Sequence, residues 1–135
     1  MGVLTVFLDK ATNLADTDII GKTDPYVRFD LKQDNWGPLD KDFGYQRSSV
    51  KSNNLNPVYG ETFTWNQVPS DLKNMVLKVR VMDEDFGSRD DKVGHCTIKL
   101  GDLGLSSRPM TVDRVIDRNL LTKNGMIHLK LSFTA

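Results

Sequence analysis

With 135 residues, 39% of them hydrophobic, the chain is long enough to bury one ordinary core and too short for a second folding unit of usual size. Its 18 Lys and Arg are matched by 18 Asp and Glu, so no net basic field draws it to nucleic acid, and any electrostatic function must be local. The lone cysteine, Cys96, excludes an internal disulfide and favours a reduced, cytoplasmic setting.

No apolar run approaches the roughly 20 residues that span a bilayer, and no basic stretch followed by an apolar core marks a secretory signal. Met1-Gly2 opens a myristoylation pattern, but Val6 stands where Ser or Thr is required, so no acyl anchor is expected.

Along the chain, apolar and polar residues alternate with a period of two in short stretches rich in Val, Ile, Leu, Phe and Thr, which suit a pleated, half-buried surface. The pattern predicts strands over 2–10, 26–32, 45–51, 62–67, 75–82, 93–100, 111–117 and 126–133. Turn formers such as Asn56-Pro57, Phe86-Gly87-Ser88 and Asn124-Gly125 separate them. No stretch keeps a 3.6-residue apolar period over a helix length, and only a short helical turn is expected within 100–107. Residues 33–44, with Asp34, Trp36, Pro38, Asp40, Lys41 and Asp42, read as the longest irregular loop. Phe7, Phe29, Phe63 and Trp65 are expected in the core, with Cys96 an inert neighbour. The fold expected is all-β, an eight-stranded antiparallel β-sandwich forming a single domain over 1–135.

Two separated loops concentrate carboxylates. One runs from Asp16 through Thr17, Asp18 and Lys22 to Asp24-Pro25; the other reads Asp83-Glu84-Asp85-Phe86-Gly87-Ser88-Arg89-Asp90-Asp91. Crowded carboxylates repel unless a positive charge relieves them. Calcium fits that need, since it takes about six to eight oxygens at flexible angles, whereas magnesium demands a near-ideal octahedron. Zinc is disfavoured because His and Cys are scarce. An EF-hand is excluded, because neither loop carries its contiguous ligands and closing glutamate. Taken singly, each loop also reads as a solvated turn, because Asp tolerates turn geometry.

The segment 14–27, with Asp18, Gly21 and Asp24-Pro25-Tyr26-Val27, resembles the first calcium loop of C2 domains such as those of synaptotagmins, conventional protein kinases C and ferlins. Leu55-Asn56-Pro57-Val58-Tyr59-Gly60-Glu61-Thr62-Phe63 is similar to that family's Leu-Asn-Pro-x-aromatic-x-Glu-x-Phe signature. Val81-Met82-Asp83-Glu84-Asp85, followed by Asp91 and Gly94, resembles its third calcium loop, and the motifs follow the family's order. The resemblance implies carboxylate ligands at Asp18, Asp24, Asp83, Asp85 and Asp91. It also implies backbone carbonyl ligands at Thr17, Glu84 and Arg89, with the Ser88 hydroxyl as an outer ligand. The opening strand leads straight into the first loop and an extra strand closes the chain. That order resembles the permuted, phospholipase-type (type II) topology, with both termini at the end away from the calcium loops.

Two departures bear on lipid preference. Many relatives carry a run of lysines near the middle of the domain that binds phosphoinositide head groups, whereas Gln46-Arg47-Ser48-Ser49-Val50-Lys51 is sparse in them. The position after Asp85, often basic in kinase relatives, is Phe86. Together with Ile19 and Ile20, Phe86 is expected at the loop tips as a membrane contact.

The function expected is calcium-dependent attachment to a phospholipid membrane surface, using two or three calcium ions, by a cytoplasmic, peripheral and monomeric module. A calcium-independent protein-interaction scaffold on the same fold is the alternative. No enzyme activity and no small-molecule substrate are expected. The sequence shows no nucleophile elbow and no phosphate-cradling glycine loop, and His95 and His128 have no acidic neighbour in sequence.

Overall fold

The computed structural model describes residues 1–15, 23–85, 87, 89–117 and 123–135, the last range by backbone alone at 123 and 124. The described residues form eight strands: β1 (Gly2–Thr12), β2 (Pro25–Gln33), β3 (Lys41–Arg47), β4 (Val58–Val68), β5 (Met75–Asp83), β6 (Asp91–Lys99), β7 (Met110–Asp117) and β8 (Lys123–Thr134). All pairings are antiparallel, in the order β3-β2-β5-β6-β7-β8-β1-β4. Only the bridge between His95 and Asp117 joins β6 to β7 among the described residues, so the sheet folds there into two four-stranded halves.

The halves close over one core. Val27, Phe29 and Leu31 of β2 and Leu77, Val79 and Val81 of β5 meet Leu4, Val6 and Leu8 of β1, Phe63 and Trp65 of β4 and Leu129 and Leu131 of β8. The rings of Phe29 and Phe63 lie 5.2 Å apart across the layers. Each such side chain contributes about 1.5 to 3 kcal/mol when fully buried. Phe7 departs from expectation: it is half-buried, because the alternation of β1 turns Leu4, Val6 and Leu8 inward and Phe7 to the other face. Cys96 is half-buried against the core, and burial pushes its thiol up to about 11.

The third strand lies earlier than predicted, over Lys41–Arg47 and not 45–51. Among the described residues it pairs with β2 alone, and it buries no residue of its own, so no apolar period announces it. Residues 33–44 are accordingly not one irregular loop, since they contain a 3-10 turn at Gly37–Leu39 and the start of β3. The helical turn expected within 100–107 is a 3-10 turn at Leu100–Asp102.

Register sets what lies at each end. Val3 pairs with Thr134 and Thr12 with Met126, while Pro25 pairs with Asp83 and Asp83 with Asp91. The exit of β1 joins the Pro25 end through Leu14 N–H to Leu55 O and Asn54 N–H to Thr23 O. Gly2 and Thr134 therefore lie at the end opposite the carboxylate loops.

Candidate metal centre

Three adjacent strand ends build the site: Pro25 opens β2, Asp83 closes β5 and Asp91 opens β6. One carboxylate oxygen from each of Asp83, Asp85 and Asp91 lies within 4.8 Å of the others. Asp83 is wholly buried, Asp85 half-buried and Asp91 exposed, so the cluster runs from the sheet end into solvent.

Backbone donors hold the acids in place. Asp24 N–H donates to Asp83 Oδ1 at 2.9 Å, and Glu84 N–H donates to the Asp24 carbonyl at 3.1 Å. Asn53 N–H donates to Asp24 Oδ1 at 2.8 Å, bringing the 48–57 loop against the first carboxylate loop. Thr23, fully buried, donates its hydroxyl to Ala15 O at 2.9 Å.

Desolvation, then the neighbouring charges of Asp83 and Asp91, raise the carboxyl of Asp85 above its ordinary value. Asp90 moves the other way, because hydrogen bonds from the Tyr26 hydroxyl and the Asp85 amide lower its carboxyl. Burial and the bond to Asp90 push the Tyr26 hydroxyl up to about 12.

The donor set fits calcium. Asp83, Asp85 and Asp91 offer carboxylate oxygens, with no His or Cys among them, and oxygens about 2.3 to 2.6 Å from one ion can stand up to about 5 Å apart. That span accommodates the separations among Asp83, Asp85 and Asp91.

Of the residues predicted from sequence, the structure brings together the carboxylates of Asp83, Asp85 and Asp91, with the Asp24 amide on Asp83 and the Asp24 carboxylate on the Asn53 amide. Glu84 is half-buried beside them, with its carboxylate 4.0 Å from the Arg47 guanidinium, and Arg89 is exposed on the same loop. Thr17, Asp18, Ile19, Ile20, Phe86 and Ser88 lie outside the described residues.

Three features escaped the sequence. Tyr26 and Asp90 meet across 64 positions, through a 2.6 Å bond from the phenol to Oδ2. His128, which has no acidic neighbour in sequence, has one across the sheet: its Nδ1 is 2.8 Å from Asp113 Oδ1, and its Nε2 is 3.0 Å from the Thr12 hydroxyl. The third feature is a basic outer face. Lys32 of β2, Lys78 and Arg80 of β5 and Lys92 and His95 of β6 line an open trough of about 360 Å³. Beside the trough, Asp30 is only 4% exposed and bonds Arg28 Nε at 2.9 Å and Arg80 Nη2 at 3.0 Å.

Comparison with known proteins agrees with this architecture. The family model of the C2 domain matches residues 2–115. Synaptotagmin-3 of Rattus norvegicus is 32% identical over 97 residues, covering 72% of this chain and 16% of that protein. A calcium-dependent lipid-binding protein of Arabidopsis thaliana is 34% identical over 129 residues, covering 96% of this chain and 22% of that protein. The chain thus spans less than a quarter of these relatives. Among solved structures, a C2 domain of plant extended synaptotagmin 1 superposes with a TM-score of 0.83 at 23% identity, covering 98% of this chain and 94% of that one. Human GIVD cytosolic phospholipase A2 superposes with a TM-score of 0.78 at 20% identity, covering 98% of this chain and 16% of that one. A match across most of the sequence, and a fold shared through all eight strands, place the chain in the C2 domain family.

Proposed function

We propose that the chain is a membrane-attachment module whose grip on phospholipid is switched on by calcium. The observation that carries this reading is the convergence of Asp83, Asp85 and Asp91 at one strand end, beside Asp24. Asp83, Asp85, Asp91 and Asp24, with Asp18 from the first loop, would hold two or three ions. Carbonyls of Thr17, Glu84 and Arg89 and the Ser88 hydroxyl would complete the donor set. Bound there, calcium supplies positive charge that cancels the carboxylates and offers coordination positions to lipid phosphate oxygens.

The protein's own residues divide the remaining work. Backbone donors from Asn53 and Asp24 aim the carboxylates so that little rearrangement is needed. Lys32, Lys78 and Lys92 present cationic side chains along the neighbouring face, favouring anionic head groups. Ile19, Ile20 and Phe86 would enter the apolar boundary of the bilayer. The names of two similar proteins support the reading: the Arabidopsis relative is a calcium-dependent lipid-binding protein, and a calcium-bound extended synaptotagmin 2 superposes with a TM-score of 0.72 at 24% identity. On this reading the chain works as a peripheral, cytoplasmic module without catalysis of its own.

Co-sedimentation with vesicles of phosphatidylcholine and phosphatidylserine, in calcium and in chelator, tests the proposal. Binding in calcium alone is the expected result. Equal binding in both would overturn the switch, and calcium-independent binding to protein partners alone would leave the scaffold reading in its place.

A further inference from the structure

One carboxylate in the third loop is engaged by the protein itself. Asp90 Oδ2 accepts the Tyr26 hydroxyl at 2.6 Å, and its Oδ1 accepts the Asp85 amide at 3.0 Å. The first bond has the length of a charge-assisted O–H···O⁻ contact. The second closes the loop on itself, from the residue preceding Asp91 back to Asp85. Tyr26 is an effective anchor: it is 6% exposed and follows Pro25, whose backbone partner is Asp83, and the Arg47 guanidinium stacks 4.5 Å from its ring centre. A single side chain thus ties both arms of the acidic loop to β2.

We propose that Asp90 is a positioning residue, latched by Tyr26, which holds Asp85 and Asp91 in their cation-binding arrangement before any ion arrives. The inference rests on the calcium reading above and adds to it a division of labour among adjacent aspartates. Asp91 faces the ion, whereas Asp90 faces the protein. Three carboxylates whose oxygens approach within 4.8 Å repel one another, and a loop without the latch would relax them apart. Restoring the arrangement on binding would then weaken affinity, as loss of an outer-shell partner generally does in metal sites.

Tyr26→Phe separates the alternatives, because it removes one hydroxyl and leaves the formal charge of the loop unchanged. If Asp90 positions, calcium calorimetry on the folded variant shows affinity weaker by on the order of tenfold, and the Asp85 amide loses protection in hydrogen exchange without calcium. Asp90→Asn, which can still accept the amide bond, should retain more amide protection than Asp90→Ala. If Asp90 is instead a ligand restrained by Tyr26, Tyr26→Phe binds calcium as tightly as wild type or more tightly, and the proposal falls. A latch that only stabilised the fold would lower the melting temperature of Tyr26→Phe but leave its calcium affinity unchanged, which also overturns it. Wild-type calcium binding with an unaltered Tyr26→Phe would remove this inference alone. Absence of calcium binding by wild type would remove the reading beneath it as well.

Discussion

The backbone amide of Asp24 donates to the buried carboxylate of Asp83 at 2.9 Å, joining two acidic loops whose members are 59 positions apart. Asp83 is thereby a structural partner of the first loop as well as a candidate ligand. The cluster's geometry is therefore sensitive to folding, and folding to whatever neutralises the cluster.

Calcium should raise the melting temperature. A ligand bound only by the folded state contributes about 2.7 kcal/mol at a hundredfold excess over its dissociation constant. Asp83→Asn, which keeps an acceptor for the Asp24 amide, should remove most of the calcium-induced shift. Asp34→Asn and Asp42→Asn, at the opposite end, should retain it. Melting curves in millimolar calcium and in chelator check this, and an unchanged wild-type midpoint would refute the assignment of the cage.

Acid should weaken the fold through Asp30. Burial alone would raise its carboxyl, but hydrogen bonds from Arg28 and Arg80 outweigh that and lower it. A carboxyl depressed in the folded state contributes stability above its unfolded value of about 3.9, lost as pH falls through the folded value. Both arginine side chains are about a third exposed or slightly more, which limits the contribution to about 1 to 2 kcal/mol. Chemical denaturation should show Asp30→Asn less stable than wild type at neutral pH, with the gap closing below about pH 4. Asp85 acts oppositely: its carboxyl is raised in the fold, so its penalty operates at neutral pH and disappears in acid.

The basic trough should matter most at low salt. Lys78→Ala and Lys92→Ala each remove a charge worth about 1 kcal/mol near an anionic surface, so the pair should weaken binding to phosphatidylserine vesicles by about tenfold or more. The difference should shrink as salt shortens the screening length below about 8 Å. Vesicle titrations across a salt series check this, and a salt-independent difference would contradict a purely electrostatic role.

Apolar insertion should persist in high salt. Ile20→Ala and Phe86→Ala together should weaken vesicle binding there while leaving calcium affinity in solution nearly unchanged, because neither side chain offers a ligand. Each large side chain moved into an apolar phase contributes up to about 1.5 to 3 kcal/mol. Equal vesicle affinity for wild type and the double variant would show that these residues pack within their own loops.

Much of the fold was legible because its signals are local. Alternation along β1, β2, β5 and β8 follows from the pleat, and Phe29, Phe63 and Trp65 fall on the inward parity their strands impose. Acids grouped at strand ends were visible too, since they crowd into two short stretches of the chain. The displaced third strand shows the limit: with no buried face, Lys41–Arg47 carries no period to read.

Partnership across strands was decided only by tertiary structure. Lys32, Lys78 and Lys92 share a face because β5 lies between β2 and β6, and His128 meets both Asp113 and Thr12 because β8 lies between β7 and β1. The same sheet order brings Tyr26 to Asp90. The sequence determined which residues prefer strand or turn and which acids stand at the strand ends, because those preferences act within a few residues. Sheet order and register arise when the whole chain buries its apolar faces at once, and they decide which distant polar groups come within hydrogen-bonding reach.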